Sequence, residues 1–258
     1  MQKITLPIEE TKEDRVSPSK PDFSWAGKML MYSAIFIISS FLFFYSFSYF
    51  IVSKISIEKE KEIFGDVYLE EDLEKFDTSL LTTKIKELEK YNIYIQNDDE
   101  INAFASPGAN IFINTGLLEN VKNEEEIIFI LAHEIGHIEN RHILKRFSLQ
   151  IPFTMTLSFL GIDLGGGIID TNDLIGNFFS RQDETESDAY GIEILNKNGL
   201  NLKCATNFFE TLEKERFLNP PEILSTHPTD KHRINNILQK NTHNNKPCKK
   251  WKYKKDTQ

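Results

Sequence analysis

Cysteine is nearly absent: the 258-residue chain has two, Cys204 and Cys248. They allow at most one disulfide, which excludes a scaffold built on bridges, and they cannot make a zinc site of cysteines. Whether they pair in an oxidising compartment stays open at this point. Positive charge is in deficit, with 30 Lys and Arg against 39 Asp and Glu, a net charge of -9 and a pI of about 5.3. A general nucleic-acid binder needs a broad basic surface, so that class is set aside. Internal repeats are absent. Hydrophobic residues at 40% and charged residues at 27% are ordinary for a globular protein. The chain is therefore not wholly disordered, not collagenous and not a polytopic membrane protein. Its length fits one ordinary domain plus extras, or two small domains.

The sharpest local absence is that of charge between Met29 and Val52. Most positions there are apolar, as in Ile35-Phe36-Ile37-Ile38 and Phe41-Leu42-Phe43-Phe44. About 20 apolar residues suffice for a helix to cross the hydrocarbon core. Trp25, Tyr45 and Tyr49 are placed for the two interfaces. The competing reading is a cleaved signal peptide, whose apolar region is usually about 7–15 residues and ends at a small-x-small site. This run is longer, follows a polar leader containing Pro7, Pro18 and Pro21, and has no clear site of that kind after it. A retained membrane anchor is the expectation. Arg15, Lys20 and Lys28 on one side match Lys54, Lys59 and Lys61 on the other, so the positive-inside rule gives a tie.

Beyond the anchor, residues 54–75 are rich in Glu and Lys and read as a polar helix or linker. The spacing of Leu81, Ile85 and Leu88 predicts an amphipathic helix over Leu80–Lys90. Tyr91–Gln96, Ala103–Ala105 and Ile111–Asn114 read as strands, with Pro107-Gly108 a turn between the last two. Asn123 and Glu126 form a capping-box pattern that opens a helix running to about Phe147. Phe153–Ile169 is apolar but interrupted by Asp163 and Gly165-Gly166-Gly167, and reads as a loop. Further helices are expected over Phe178–Asn198, stopped by Gly199, over Leu202–Arg216, and after Pro228. The tail after Asn241 is polar, carries six lysines and reads as solvated.

The chemistry is concentrated in His133-Glu134-Ile135-Gly136-His137. On a helix, positions i and i+4 share a face, so both imidazoles point to one spot. Two neutral imidazoles there bind zinc, and Glu134 beside them can take a proton from water at the metal. A catalytic zinc needs a third protein ligand and an open position. Glu184 and Asp188 share one face of the third long helix. Glu184 is the candidate third ligand, and Asp188 the carboxylate accepting the free N–H of a ligating histidine. Glu186 lies about 200° round that helix from Glu184 and cannot share its task. The plainer reading of this acidic cluster is a solvated helix face.

At these residues the chain resembles the M48 metallopeptidases, a family of membrane-associated zinc endopeptidases. Five stretches carry the resemblance: Asn102-Ala103-Phe104-Ala105; Ile111-Phe112-Ile113-Asn114-Thr115-Gly116-Leu117-Leu118; Leu131 through His137 with Arg141-His142; Ser180-Arg181 with Glu184-x-x-x-Asp188; and Thr226-His227-Pro228 with Arg233-Ile234. Ser187 departs from it, standing where the family usually has alanine. The resemblance spans about residues 70–240. It implies an α+β, mainly helical, gluzincin-type zinc metallopeptidase domain with a small sheet; the apolar run gives the one N-terminal transmembrane helix expected before it. It implies one zinc per chain on His133, His137 and Glu184, with Glu134 as general base and Ala109–Thr115 as an edge strand for peptide addition. His227 has two open roles: a donor to the oxyanion of the tetrahedral intermediate, or a resting fourth ligand that holds the enzyme off. Arg181 and Arg233 are structural or substrate-pairing charges, and His142, His232 and His243 are read as non-ligands.

The expected organisation is a disordered tail over 1–28, the anchor over 29–52, a linker or helix over 53–75, the peptidase domain over 76–241 and a basic tail over 242–258. The expected function is a membrane-anchored zinc endopeptidase in membrane or envelope protein quality control, acting on unfolded or membrane-associated proteins. The rival is a membrane-tethered chaperone or assembly factor whose zinc is structural or latched. The expected location is the bacterial inner membrane, single-pass, with the domain on the periplasmic side. Lipid is a partner through the helix; nucleic acid is not.

Overall fold

A computed structural model of the chain describes residues 24–52, 54–65, 73–146, 148, 179–215, 222–228, 231–243 and 245–253. The polar leader and the apolar stretch Phe153–Ile169 lie outside the described residues. Two compact units are present, residues 1–42 and 43–258. Helix α1, Ser24–Val52, is long and apolar enough to cross a membrane, by length and composition. It is apolar on every face, with Leu30, Phe36 and Phe43 all exposed. A helix without a polar face has no side suited to water. At about 1.5 Å per residue it is about 43 Å long, against about 30 Å for a hydrocarbon core.

The second unit is built around one buried helix. Strands β1 (Glu74–Lys75), β2 (Asn92–Gln96), β3 (Ala103–Ser106) and β4 (Asn110–Asn114) form a sheet in the order β1-β2-β4-β3. β1 is antiparallel to β2, β2 parallel to β4, and β4 antiparallel to β3. The hairpin between β3 and β4 turns at Gly108, φ 90°, and Ala109, φ 57°. A Cβ on Gly108 would lie 2.7 Å from the Phe64 carbonyl, so glycine is required there. One face of the sheet presents Ile93, Ile95, Ala103, Ile111 and Ile113 to the core, as the two-residue period dictates.

Helix α3 (Thr115–Asn120) leads into α4 (Glu124–Glu139), in which every residue from Glu124 to Ile138 is buried. Its start is fixed by its own acids. Glu126 accepts from the N–H groups of Lys122 and Asn123, at 2.6 and 3.2 Å. Glu124 accepts from the N–H and hydroxyl of Thr82, at 2.8 and 2.7 Å. Around α4 stand α5 (Arg181–Lys197), α6 (Leu202–Glu215) and the sheet; of two short helices that follow, α7 (Glu222–Thr226) and α8 (Lys231–Gln239), α8 packs on α5 and α6. Helix α2 (Ile57–Phe64), by chain order the second, is pinned below the hairpin: Glu60 accepts from Gly108 N–H at 3.1 Å and pairs with Arg141.

Four expectations change. Leu80–Lys90 is not an amphipathic α-helix but two 3-10 turns, Thr78–Leu80 and Leu88–Lys90. Leu81, Ile85 and Leu88 are buried as their spacing requires, yet Thr82 gives its backbone donor to Glu124 rather than to a helical carbonyl. The metal-motif helix does not run unbroken to Phe147. It stops at Glu139, Arg141 takes a left-handed φ of 62°, and 142–146 form a separate turn of helix. That kink sends the Arg141 guanidinium to Glu60 and to the Ile55 carbonyl. Ala109–Thr115 does not form an edge strand: β4 is interior, because β2 pairs with it on the side away from β3. The outer strand next to β4 is β3. Finally, the basic C-terminal segment keeps Lys246, Lys250 and Lys252 exposed, but its backbone is fixed. Glu124 N–H bonds to Lys249 O and Trp251 N–H to Lys122 O, both at 2.8 Å.

A disulfide between Cys204 and Cys248 ties that segment to the first turn of α6. It closes a loop with a sequence separation of 44, for which chain entropy gives a stabilisation of about 4 kcal/mol. Replacing both cysteines with serine is expected to lower the urea midpoint of the full chain, read by tryptophan fluorescence. An unchanged midpoint would show that the strap is held by its hydrogen bonds alone.

Candidate metal centre

The site lies where α4 and α5 touch. Gly136 permits the contact: a Cβ there would come 2.8 Å from the Cα of Ser187. His133 and His137 project from α4 at helical spacing, and Glu184 and Asp188 from α5 do the same. His227 follows α7, and Arg233 comes from α8. One ligand atom each from His133, His137, Glu184 and His227 falls within 4.8 Å of the others, and all four residues are buried.

The finer distances test whether a metal fits. His133 Nε2 lies 3.1 Å from His137 Nε2 and 3.3 Å from His227 Nδ1. Glu184 oxygens lie 3.4 Å from His133 Nε2, 3.4 Å from His137 Nε2 and 3.0 Å from His227 Nδ1. Ligand atoms about 2.0–2.1 Å from a tetrahedral zinc are about 3.3 Å apart. Charge agrees. Glu134, Glu184 and Asp188 are three buried carboxylates, of which Glu184 and Asp188 pair with the Arg233 guanidinium; the negative charge left over suits a divalent cation. The donor set, nitrogen and carboxylate oxygen without sulfur, suits zinc.

The supporting contacts are as specific. His133 Nδ1 meets Asp188 Oδ1 at 3.1 Å. Arg233 donates from Nε and Nη2 to the two Asp188 oxygens, both at 2.8 Å, and pairs through Nη1 with Glu184 at 2.6 Å. His137 Nδ1 meets His142 Nδ1 at 3.0 Å. The Phe179 ring lies on His137 with centroids 3.7 Å apart. Glu134 Oε2 accepts from Ala105 N–H at 3.0 Å, which brings the outer strand β3 against the metal helix. Its other oxygen, Oε1, has no hydrogen-bond partner among the described residues and lies 3.5 Å from His227 Nε2.

Protonation follows from these neighbours. Burial resists charge on His133, but Glu184 and Asp188 overcome it and push the imidazole up to about 10. Burial holds His137 well below the usual imidazole range. Burial also raises Glu134, against the pull of the neighbouring imidazoles. Glu184 and Asp188 resist the same burial and are held low, Glu184 by His227 and His133, Asp188 by His133 and Arg233. A basic imidazole, a neutral imidazole and the anionic Glu184 thus face one point, with anionic Asp188 behind His133.

The model for peptidase family M48 matches residues 70–241 of the chain. The chain belongs to peptidase family M48. Among curated relatives, the beta-barrel assembly-enhancing protease of Yersinia pestis is 31% identical over 161 residues, 56% of this chain and 33% of that protein. Its Escherichia coli (strain K12) counterpart is 32% identical over 160 residues, with the same two shares, 56% and 33%. The mitochondrial metalloendopeptidase OMA1 of Arabidopsis thaliana is 26% identical over 185 residues, 71% of this chain and 38% of that protein. The chain spans about a third of the length of the first two relatives.

The structure brings His133, Glu134, His137, Glu184, Asp188 and His227 together. From sequence alone Arg233 is a structural or substrate-pairing charge and His142 a non-ligand, without the contacts seen here. Both stand in quoted motifs, so the signal was present, but motif position does not say what a side chain touches. Phe179 carried no signal at all. Replacing Asp188 with Asn removes the charge that His133 and Arg233 share. Asp188→Asn is expected to weaken zinc binding about 10–100-fold, measured by competition with a chromogenic chelator. Wild-type affinity in the variant would remove Asp188 from the support of the metal.

Proposed function

We propose that this M48 chain is a membrane-anchored zinc endopeptidase acting on unfolded or membrane-associated proteins in membrane or envelope protein quality control. The observation that carries the reading is four converging buried ligand atoms with Glu134 Oε1, which has no hydrogen-bond partner among the described residues, beside them. His133, His137 and Glu184 hold one zinc per chain, which when bound supplies Lewis acidity toward a peptide carbonyl and its attacking water. Glu134 Oε1 takes a proton from that water and returns it to the leaving amine. A peptide substrate lies against the outer strand β3, where main-chain hydrogen bonds read little of its sequence. This corrects the strand assigned to that task without changing the mode.

The names of the relatives, a beta-barrel assembly-enhancing protease and a mitochondrial metalloendopeptidase, support proteolysis. Helix α1 supports an anchor, and the disulfide supports an oxidising compartment, in line with a single-pass protein of the bacterial inner membrane whose domain is periplasmic. Nucleic acid is not among the proposed partners.

One observation favours a resting state. His227 Nδ1 is 3.0 Å from Glu184 Oε1 and 3.3 Å from His133 Nε2, within the ligand set rather than at its rim. Four protein ligands close a zinc site, as in structural zinc centres. His227 is then a latch that must leave before substrate enters. Casein cleavage by the zinc-loaded full chain is expected to rise in His227→Ala. It is expected to vanish with chelator, and to fall about 10²–10⁴-fold on adding Glu134→Gln, with zinc retained. Loss of cleavage in His227→Ala with zinc bound would instead make His227 the oxyanion donor. Silence of both wild type and His227→Ala would favour the chaperone reading.

A further inference from the structure

The two histidines of α4 are supported differently. His133 turns its Nδ1 to a carboxylate, Asp188, itself bracketed by Arg233. His137 turns its Nδ1 to another imidazole, that of His142, at 3.0 Å. His142 is buried and reaches outward from there. Its Nε2 lies 3.0 Å from Glu186 Oε2 and 3.5 Å from Asp183 Oδ1, both on the first turns of α5. The hydroxyl of Ser187 lies 3.5 Å from His142 Nδ1. The kink at Arg141 is what aims the ring: with φ at 62°, the chain leaves α4 and re-enters a helical turn at residue 142.

We infer that His142 is a positioning residue that fixes the tautomer and ring plane of His137, with Glu186 as its outer anchor. This rests on the metal reading of the site. Two ring nitrogens facing each other share a single hydrogen, so one donates and the other accepts. His137 Nε2 faces the other ligand atoms and must keep its lone pair for the metal. Its hydrogen therefore sits on Nδ1 and is donated to His142 Nδ1. His142 in turn carries its hydrogen on Nε2, where the Glu186 and Asp183 carboxylates accept it. The hydrogen bonds run in one direction, from a buried ligand to the surface. Helix α5 thereby supplies both a ligand, Glu184, and the acceptors that orient the support of another ligand, Asp183 one residue before it and Glu186 two after. A ligating histidine normally has its free N–H held by a carboxylate, carbonyl or water. Here the carboxylate is one imidazole further out.

The first test needs no substitution. Two-bond nitrogen–proton spectra of the zinc-loaded full chain in detergent are expected to show His137 protonated at Nδ1 and His142 protonated at Nε2. His142 protonated at Nδ1 would overturn the inference, because it could then accept nothing from His137. In the second test, His142→Leu is expected to weaken zinc binding about 10–100-fold. His142→Asn places an amide oxygen where Nδ1 stood and is expected to recover most of that loss. Equal loss in both variants, or none in either, would reduce His142 to packing. A wild-type chain that takes up no zinc under these conditions would bring down the metal reading, and this inference with it. That result is distinct from a zinc-loaded protein carrying the wrong tautomer.

Discussion

Everything at the centre depends on how closely two helices approach. At Gly136 the backbone of α4 has no side chain, and the Ser187 Cα of α5 lies 2.8 Å from where a Cβ would stand. Had either position been large, Glu184 would stand too far from His133 and His137 to share an ion with them. The contact is affordable because α4 is buried along its whole length and held at its start by its own glutamates. A fixed helix start and a fixed crossing point leave the two imidazoles little freedom. The departure from the family pattern at Ser187 fits this constraint, since serine is nearly as small as alanine. Its hydroxyl also faces His142.

Charge explains why the same place suits a cation. Burying Glu134, Glu184 and Asp188 together is unfavourable unless positive charge is close. Arg233 answers part of it by touching both Glu184 and Asp188. The remainder falls on the histidines, and His133 is accordingly held in its charged form. A bound metal replaces that proton with a larger charge. The arrangement is therefore destabilised as a protein core and stabilised as a binding site, which is the usual sign of function over packing.

Much of this was legible in the sequence. The capping glutamate at Glu126, the helix through His133 and His137, the hairpin at Pro107-Gly108 and the helix ending before Gly199 follow from local rules that tertiary contacts did not overturn. The failures have one cause each. Leu81, Ile85 and Leu88 show helical spacing because a loop laid over a core can bury every third or fourth residue without winding. The break at Arg141 follows from a long-range partner, Glu60, eighty-one residues away, which no local window contains. The edge strand was misplaced because strand order is a non-local fact: β2 looks identical in sequence whether it pairs with β4 or with nothing. The roles of Arg233 and His142 were hidden for the same reason.

On the proposed function, His133, His137 and Glu184, with His227 at rest, hold one zinc. X-ray absorption at the zinc edge on the purified full chain tests it most directly. The expected result is one zinc per chain, with about four nitrogen or oxygen neighbours at about 2.0–2.1 Å and no sulfur. One fewer imidazole should be seen in His227→Ala. A substoichiometric metal, a sulfur neighbour at about 2.3 Å, or a shell unchanged by His137→Ala would contradict it.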